Sequence, residues 1–462
     1  MGKTHDGPNS ERLYLGVDVG GTKVQASLVT ESGGIIGRQR CQTPREGGPE
    51  ETVQAIETAI RDVVEKAGFE IGDVAAIGIA VPGVVDPDAG HVVVTPNMNL
   101  TGVTIGSVLE DRFEVPVAVG NDCNLGALGE KWLGSARDAD SVMAILVGTG
   151  IGGGFVQQGK LWRGAREAAG EIGHIVMQIG GPKCGCGNRG CLEALASRSA
   201  IERDIREAIA AGKPSALPAL IGSDLSVIRS GAIRRAIAAG DELVTEILRR
   251  ATEVLGYACL TVRHLIDPEV IVLGGGLVEA CGDFMMPIVE KVVEADRLPG
   301  ARPGGRVLVS ALGDDAVVLG AVALARKQAG RNPFKRKSAV CPTYPEIRWV
   351  SFGKIEVDKK TCSYDVYLRV DGKVKKRDKT LARQLYGSSH TVGPEELEKV
   401  CKGGPEVLFV GSGASGQIEV NEGARRFLQQ RRIRCEVLPT PEAIKAYNQS
   451  TQRRAALIHV TC

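Results

Sequence analysis

Charge of one sign is scarce in this sequence: 57 Lys and Arg stand against 55 Asp and Glu, a net +2. That balance gives no global pull toward nucleic acid or an anionic membrane. Long apolar runs are lacking too, whereas a membrane-spanning helix needs about 20 such residues. The opening MGKTHDGPNS is polar and has no apolar core, so no signal peptide is read there. Cysteine is spread thinly, with nine of the twelve scattered along the chain. Free thiols point to a reducing compartment, and the expectation is a cytoplasmic protein. A make-up of 43% hydrophobic and 24% charged residues is that of a globular protein, and 462 residues allow roughly three domains.

The remaining three cysteines are concentrated in EIGHIVMQIGGPKCGCGNRGCLE, residues 171–193, which holds His174, Cys184, Cys186 and Cys191 with Glu171 and Glu193 at its ends. Zn²⁺ takes four nitrogen or sulfur ligands in a tetrahedron, and a Cys₃His set closes a structural site. Gly185, Gly187 and Gly190 allow the tight turns such a site requires. Cys184-Gly-Cys186 is too closely spaced for a CxxC redox pair.

Two glycine clusters punctuate the first 160 residues. Strand-like 13–18 runs into Val19-Gly20-Gly21-Thr22-Lys23, and a second strand-like run, 24–30, follows at once. Likewise 141–147 enters Gly148-Thr149-Gly150-Ile151-Gly152-Gly153-Gly154, and the alternating 155–160 follows. The second cluster matches G-x-G-x-x-G, but a dinucleotide fold needs a helix after the glycines, and a P-loop needs GKS or GKT. Neither cluster has these, so both read as turns of β-hairpins. Between them the pattern predicts a helix at 50–67, an apolar run at 74–81 ending in Pro82-Gly83, a helix near 104–112, and a strand at 115–119 leading to a loop with Asn121 and Asp122. Beyond the cysteine loop come helices at 198–212, 226–239 and 241–266. A strand at 269–273 enters Gly274-Gly275-Gly276, followed by a helix near 283–294, a strand near 305–310 and a helix near 315–328. Residues 329–345 are basic and carry prolines, the texture of a solvated linker; the run has no interleaved aromatics beyond Phe334 to suit nucleic acid. Residues 346–462 read as a separate small α/β unit in which Gly411–Gly416 forms a tight turn.

Asp18 through Lys23, the loop at 148–154, Asp122 and Gly274–Gly276 together resemble the sugar-kinase branch of the actin-like ATPase fold, which is ribonuclease H-like and two-lobed. Adding Glu171-Ile172-Gly173-His174 and Cys184-x-Cys186-Gly-x-x-Gly190-Cys191-x-Glu193 narrows the resemblance to the ROK family (repressor, open reading frame, kinase), glucokinase-like, over about residues 12–328. The resemblance implies phosphorylation of a hexose by ATP with Mg²⁺ and a structural Zn²⁺. Asp122 would be the general base. Gly83, Asn97, Asn121, Asp122, Glu171, His174 and Glu193 would meet the sugar. Asp18, Gly20, Gly21, Thr22, Lys23, Gly148, Thr149, Gly150, Gly152 and Gly274–Gly276 would serve ATP and its metal, while His174, Cys184, Cys186 and Cys191 hold zinc. It also implies a small lobe at 12–121 completed by the helix near 315–328, a large lobe at 122–314, and a homodimer or tetramer. ROK repressors carry an N-terminal helix-turn-helix for which residues 1–11 leave no room, so no nucleic-acid partner is expected. Glucose is the expected substrate; an N-acetylhexosamine, or a non-catalytic sugar-binding scaffold, are the alternatives.

Residues 346–462 resemble, through Phe352-Gly353-Lys354-Ile355, Gly387-Ser388-Ser389-His390 and the closing His459-Val460-Thr461-Cys462, a small domain found in adipogenesis-associated and complex I assembly-factor-like proteins. That resemblance implies a fold and no catalytic role. A protein partner reached through this unit is the expectation, and His390, His459 and Cys462 read as a structural set rather than a site.

Overall fold

The structure, a computed structural model, describes residues 11–44, 46–96, 98–298, 304–334, 344–402, 404–413, 416–431, 433–450 and 452–461. The chain forms two compact units that part between Lys335 and Arg336.

In the first unit, β1 (Leu13–Val19), β2 (Lys23–Thr30) and β3 (Ile35–Gln42) form an antiparallel meander. Helix α1 (Pro49–Lys66) leads to β4 (Val74–Val81), the hairpin β5 (Val84–Asp86) and β6 (His91–Val94), α2 (Ile105–Phe113) and β7 (Val117–Asn121). β4 and β7 extend the meander in parallel, giving the order β3-β2-β1-β4-β7. Helix α3 (Asp122–Trp132) then hands the chain to β8 (Ser141–Val147), β9 (Ile151–Gln157) and β10 (Lys160–Leu161). Five helices follow: α4 (Leu192–Ala196), α5 (Arg198–Ala210), α6 (Leu217–Ile221), α7 (Ser230–Ala238) and α8 (Glu242–Ile266). Last come β11 (Val270–Gly274), α9 (Gly276–Glu294), β12 (Arg306–Val309) and α10 (Ala316–Gln328). The second sheet runs β10-β9-β8-β11-β12, again an antiparallel meander continued by two parallel strands. One topology is thus built twice, and each copy opens with a glycine hairpin, as the sequence pattern predicts.

β1 and β4 are buried on both faces because α1 and α2 cover one side of the first sheet while α10 covers the other. Glycine permits that second contact. A methyl on Gly16 would lie 2.5 Å from the Val318 carbonyl oxygen, and one on Gly78 would lie 2.0 Å from that of Ala321. Between helices α3 and α10, a methyl on Gly320 would lie 1.7 Å from the Leu125 oxygen. Gly320→Ala is therefore expected to force two backbones apart and cost about 3 kcal/mol, the upper end of ordinary overpacking. Urea unfolding of the two proteins checks this, and an unchanged midpoint would contradict the packing.

Among the described residues the second unit comprises a five-stranded, a three-stranded and a two-stranded sheet with four helices. In chain order these are β13 (Ile347–Ser351), β14 (Lys354–Val357), β15 (Lys360–Cys362), β16 (Val366–Leu368), β17 (Val374–Lys376), α11 (Thr380–Tyr386), β18 (Thr391–Val392), α12 (Pro394–Val400), β19 (Val407–Ser412), β20 (Glu419–Val420), α13 (Glu422–Gln430), β21 (Arg434–Leu438), α14 (Thr440–Gln449) and β22 (Arg454–His459). Its main sheet runs β17-β16-β22-β19-β21, and Phe409 of β19 meets Tyr447 of α14 edge-on in the core.

Several sequence expectations are corrected here. Asn121 and Asp122 are not in a loop: Asn121 ends β7 and caps α3, and Asp122 is its first residue. The helix expected near 283–294 begins at Gly276, because Leu277, Val278, Cys281 and Met285 continue its buried face across Gly282. β3, the β5–β6 hairpin, α3 and β13 went unread; β3 alternates with its polar side exposed and few strong β-formers. The expected sugar contact Asn97 and most of the 329–345 linker lie outside the described residues.

Candidate active site and metal centre

Asp18 is the last but one residue of β1, beside the first glycine hairpin, where Gly20 N–H donates to Lys23 O at 2.9 Å and Thr43 Oγ donates to Gly20 O. Burial first, and then the charge of Asp122, push the Asp18 carboxyl up to about 6. Asp122 is itself raised by burial, against the pull of the Cys123 N–H, which donates to its Oδ1 at 2.8 Å. The partly buried Cys123 thiol is held well above its ordinary value by burial and then by Asp122, Glu171 and Asp18, so all three carboxylates lie within electrostatic reach of it. Carboxylates kept this close and partly dry suit a divalent cation or a proton in transit. Lys23 is half exposed and faces Asp314 at 3.9 Å, and Thr22 is exposed beside it.

The raised carboxyl has a sign that can be tested. The folded chain holds the Asp18 proton more tightly than the unfolded one, so its contribution is most favourable below about 3.8 and is lost as pH rises through about 6. Asp18→Asn is expected to stabilise the protein at pH 7.5 by on the order of 1–3 kcal/mol, with the gain vanishing near pH 4. Urea midpoints at both pH values check it; equal midpoints at pH 7.5 would contradict the buried charge.

Asn121 spends its amide on the fold. Its Oδ1 accepts the Asn124 N–H at 3.0 Å, the capping bond of α3, and its Nδ2 donates to Gly83 O at 3.0 Å. Gly83 has φ +96°, and a methyl there would meet Val94 O at 2.2 Å, so the close approach it permits is to β6.

The second glycine hairpin, β8–β9, is gripped from the cysteine side. Glu193, in the first turn of α4, accepts the Ile151 N–H at 3.0 Å with Oε2, while its Oε1 lies 3.6 Å from Cys184 Sγ. A methyl at 150 would sit 2.4 Å from that carboxylate, which would have to move to admit it. Arg198, which sequence reasoning missed, donates to Thr149 Oγ at 2.6 Å and pairs with Glu202. A cation in the first turn of a helix opposes the dipole, and that misplacement at the start of α5 was the available cue. Gly274 ends β11 and Gly275 (φ +86°) precedes α9, leaving the strand-to-helix turn of Gly274–Gly276 open at the helix start.

His174 closes a short 3₁₀ turn, Ile172–His174, packed on β9. Its Nδ1 lies 3.7 Å from Cys184 Sγ, Cys186 Sγ lies 3.8 Å from Cys191 Sγ, and one ligand atom from each of the four residues falls within 4.8 Å of the others. A zinc tetrahedron with Zn–S near 2.3 Å has edges of about 3.7 Å, so the set fits that ion. The loop is pinned at Gly190, where a methyl would lie 1.7 Å from Gln178 O. His174 Nε2 points away from the sulfurs, 4.0 Å from a Glu171 oxygen.

In the second unit, His459 Nδ1 lies 2.6 Å from Asp365 Oδ2, and Arg377 and Lys379 also reach that carboxylate. Burial would raise Asp365, but the His459 hydrogen bond and charge outweigh it and leave the group at about 2. Arg377 in turn pairs with Glu396 at 2.7 Å. His390 stacks edge-on at 5.3 Å. Cys462 lies outside the described residues.

Two five-stranded sheets of one topology, with glycine hairpins flanking shared carboxylates, define a two-lobed protein of the actin-like ATPase fold. The chain belongs to the ROK family, whose pattern matches residues 14–328. It is similar to a glucokinase of Halalkalibacterium halodurans, 34% identical over 69% of this chain and 96% of that protein, and to one of Thermotoga maritima, 35% identical over 68% and 98%. Among solved structures it resembles a ROK glucokinase from Streptomyces griseus in complex with glucose and AMPPNP, at 33% identity and TM-score 0.60, covering 68% of this chain and 99% of that one. The family also holds regulators: NagC of Escherichia coli is 31% identical over 60% of this chain and 68% of its own length. Residues 347–459 match a protein family of unknown function (DUF498/DUF598). Among the described residues no helix is long and apolar enough to cross a membrane.

Proposed function

We propose that this chain is an ATP-dependent hexose kinase that converts glucose to glucose 6-phosphate. The observation that carries the reading is that β1, β4 and β7 run parallel and end together, which sets Asp18 and Asp122 at one sheet edge, with Cys123 against Gly152 of the second hairpin and the charge of Asp122 raising Asp18. Phosphoryl transfer needs backbone donors for the phosphates, a metal carboxylate and a base for the attacking hydroxyl. The hairpins at 20–23 and 148–152 supply N–H groups, with Thr22, Thr149 and Lys23 beside them, and Asp18 would hold Mg²⁺. Gly274–Gly276 would approach the adenosine. The sugar oxygen attacks the γ-phosphorus, its proton passes to Asp122, and ADP leaves; a carboxylate raised toward neutrality accepts that proton more readily. Glu171, His174 and Glu193 would meet the sugar hydroxyls, with Asn97 and Asn121 nearby. His174, Cys184, Cys186 and Cys191 would hold a zinc whose four positions they fill, so the ion shapes the wall and leaves the chemistry to Asp122. The second unit serves as a binding or assembly module.

Supporting this reading, the similarity to glucokinases extends over nearly their whole length, whereas it covers about two thirds of NagC. Coupled ADP release across glucose, mannose, fructose, N-acetylglucosamine and N-acetylmannosamine tests it. Glucose is expected to give the highest kcat/KM. An N-acetylhexosamine ahead of it would replace the substrate, and sugar binding with no ADP from any of them would make the chain a sensor.

A further inference from the structure

A cavity of about 200 Å³ abuts the residues assigned to the hexose, sharing Gly83, Asn121 and Glu171 with them but reaching neither Asp122, His174 nor Glu193. It continues between the β5–β6 hairpin and the segment after β10 as far as α10. The volume is below the roughly 300 Å³ of pockets for drug-sized ligands and several times the roughly 30 Å³ of one water, the size class of a single ring.

Its lining holds hydrogen-bonding capacity that the fold does not use. Asn124 lines the cavity, but its Oδ1 is fully buried beside Gly154 and closed to a ligand, so that capacity lies elsewhere. Lys327, from the last turn of α10, has no carboxylate within ion-pair distance among the described residues and makes only a long bond to Gly159 O at 3.4 Å. Burial, then Lys160 and Arg163, hold its ammonium below the usual lysine value, so an incoming acceptor would be welcome. Leu128, Leu161 and Leu324 form apolar walls. Arg163 and Asp88 clasp across the mouth through two bonds of 2.9 and 2.8 Å, joining the β5–β6 hairpin to the second sheet's side.

The sign of the ligand follows from the rest of the lining. Asp88, Glu167 and Glu171 face the same cavity as Arg163 and Lys327, so an anion would meet three carboxylates. Hydroxyls can donate to Glu171 and accept from Lys327, and the C–H faces of a pyranose suit leucine walls. We infer that this cavity is a second sugar subsite, which takes a neutral hexosyl unit linked to the hexose in the phosphorylation site and so extends the substrate class to disaccharides. The inference rests on the hexose assignment made above.

The test uses the full chain, calorimetric binding and ADP release, with glucose, maltose and cellobiose as probes. At least one disaccharide is expected to bind and be phosphorylated. Leu161→Trp, which fills the cavity from its half-buried wall, should lower kcat/KM for that disaccharide at least about tenfold, the scale of a hydrophobic-pocket misfit, and leave glucose within about twofold. Lys327→Met should weaken the disaccharide by about two- to tenfold, the worth of one hydrogen bond, and leaves a check should the tryptophan variant not fold. Turnover of glucose with no binding of either disaccharide would overturn the subsite alone. Equal losses for both sugars in the variants would overturn it too, as would glucose 6-phosphate binding that Leu161→Trp abolishes. Absence of glucose turnover together with disaccharide turnover would keep the subsite and overturn glucose as the substrate; silence of all sugars would overturn both.

Discussion

Replacing Asp122 by alanine is expected to lower kcat by about 10²–10⁴-fold, the usual contribution of a positioned general base, while the hexose still binds within a few-fold of its wild-type affinity. Local geometry explains why binding should survive. The Asn121 cap bond to Asn124 and its bond to Gly83 do not involve Asp122, so α3 stays in place when the carboxylate goes. Removing a buried charge whose pKa is raised by burial should also leave the fold no less stable. Asp122→Asn is the sharper control, since it keeps the shape and removes the base. Single-turnover ADP formation and calorimetric sugar binding, measured on the same preparations, separate the two effects. Near-wild-type kcat in either variant would remove Asp122 from the chemistry, and loss of sugar binding in both would make it a binding residue instead.

Removing the metal is expected to have the second large effect, a joint loss of loop order, hexose affinity and thermal stability. The four ligands belong to one short loop that has little apolar core of its own, only Cys184, Cys191 and Ala194 clustering there. Such loops are ordered by the ion, and its binding energy is folding energy. Glu193 then carries the disturbance outward: it touches Cys184 on one side and holds the Ile151 N–H on the other, so a disordered loop loosens the second glycine hairpin as well. Elemental analysis of the native protein should give about one zinc per chain. Chelation, and Cys184→Ser independently, should lower zinc content, sugar affinity and Tm together, and returning zinc to the chelated protein should restore all three. Full activity in protein shown to be free of zinc would refute the linkage.

These effects were legible in the sequence to different depths. The strand after each glycine cluster is visible in the sequence and separates a glycine hairpin from a dinucleotide-binding turn, while the lack of GKS or GKT separates it from a P-loop. The Cys₃His spacing is equally local, because a metal can be held by eighteen residues that fold on themselves. Asp122 was legible as a residue but not in its setting. A strand too short to show a period runs directly into a helix whose first turn, Asp122-Cys123-Asn124-Leu125-Gly126, carries no strong helix formers beyond leucine, so the junction reads as a loop.

Sequence by itself determined the repeated hairpins, the local clustering of His174 with three cysteines, the carboxylate beside the first turn and the change of texture over 329–345, because turn chemistry, residue spacing and periodicity act over a few residues. Only the tertiary structure decided that α10 lies so close on β1 and β4 that Gly16 and Gly78 meet its backbone, that Glu193 braces the second hairpin, and that Asn124, Leu161 and Lys327 share one cavity. Those partners are separated by tens to hundreds of residues. Which of them meet depends on where glycine lets backbones touch and where burial leaves a polar atom unpaired, and neither is encoded in any local stretch.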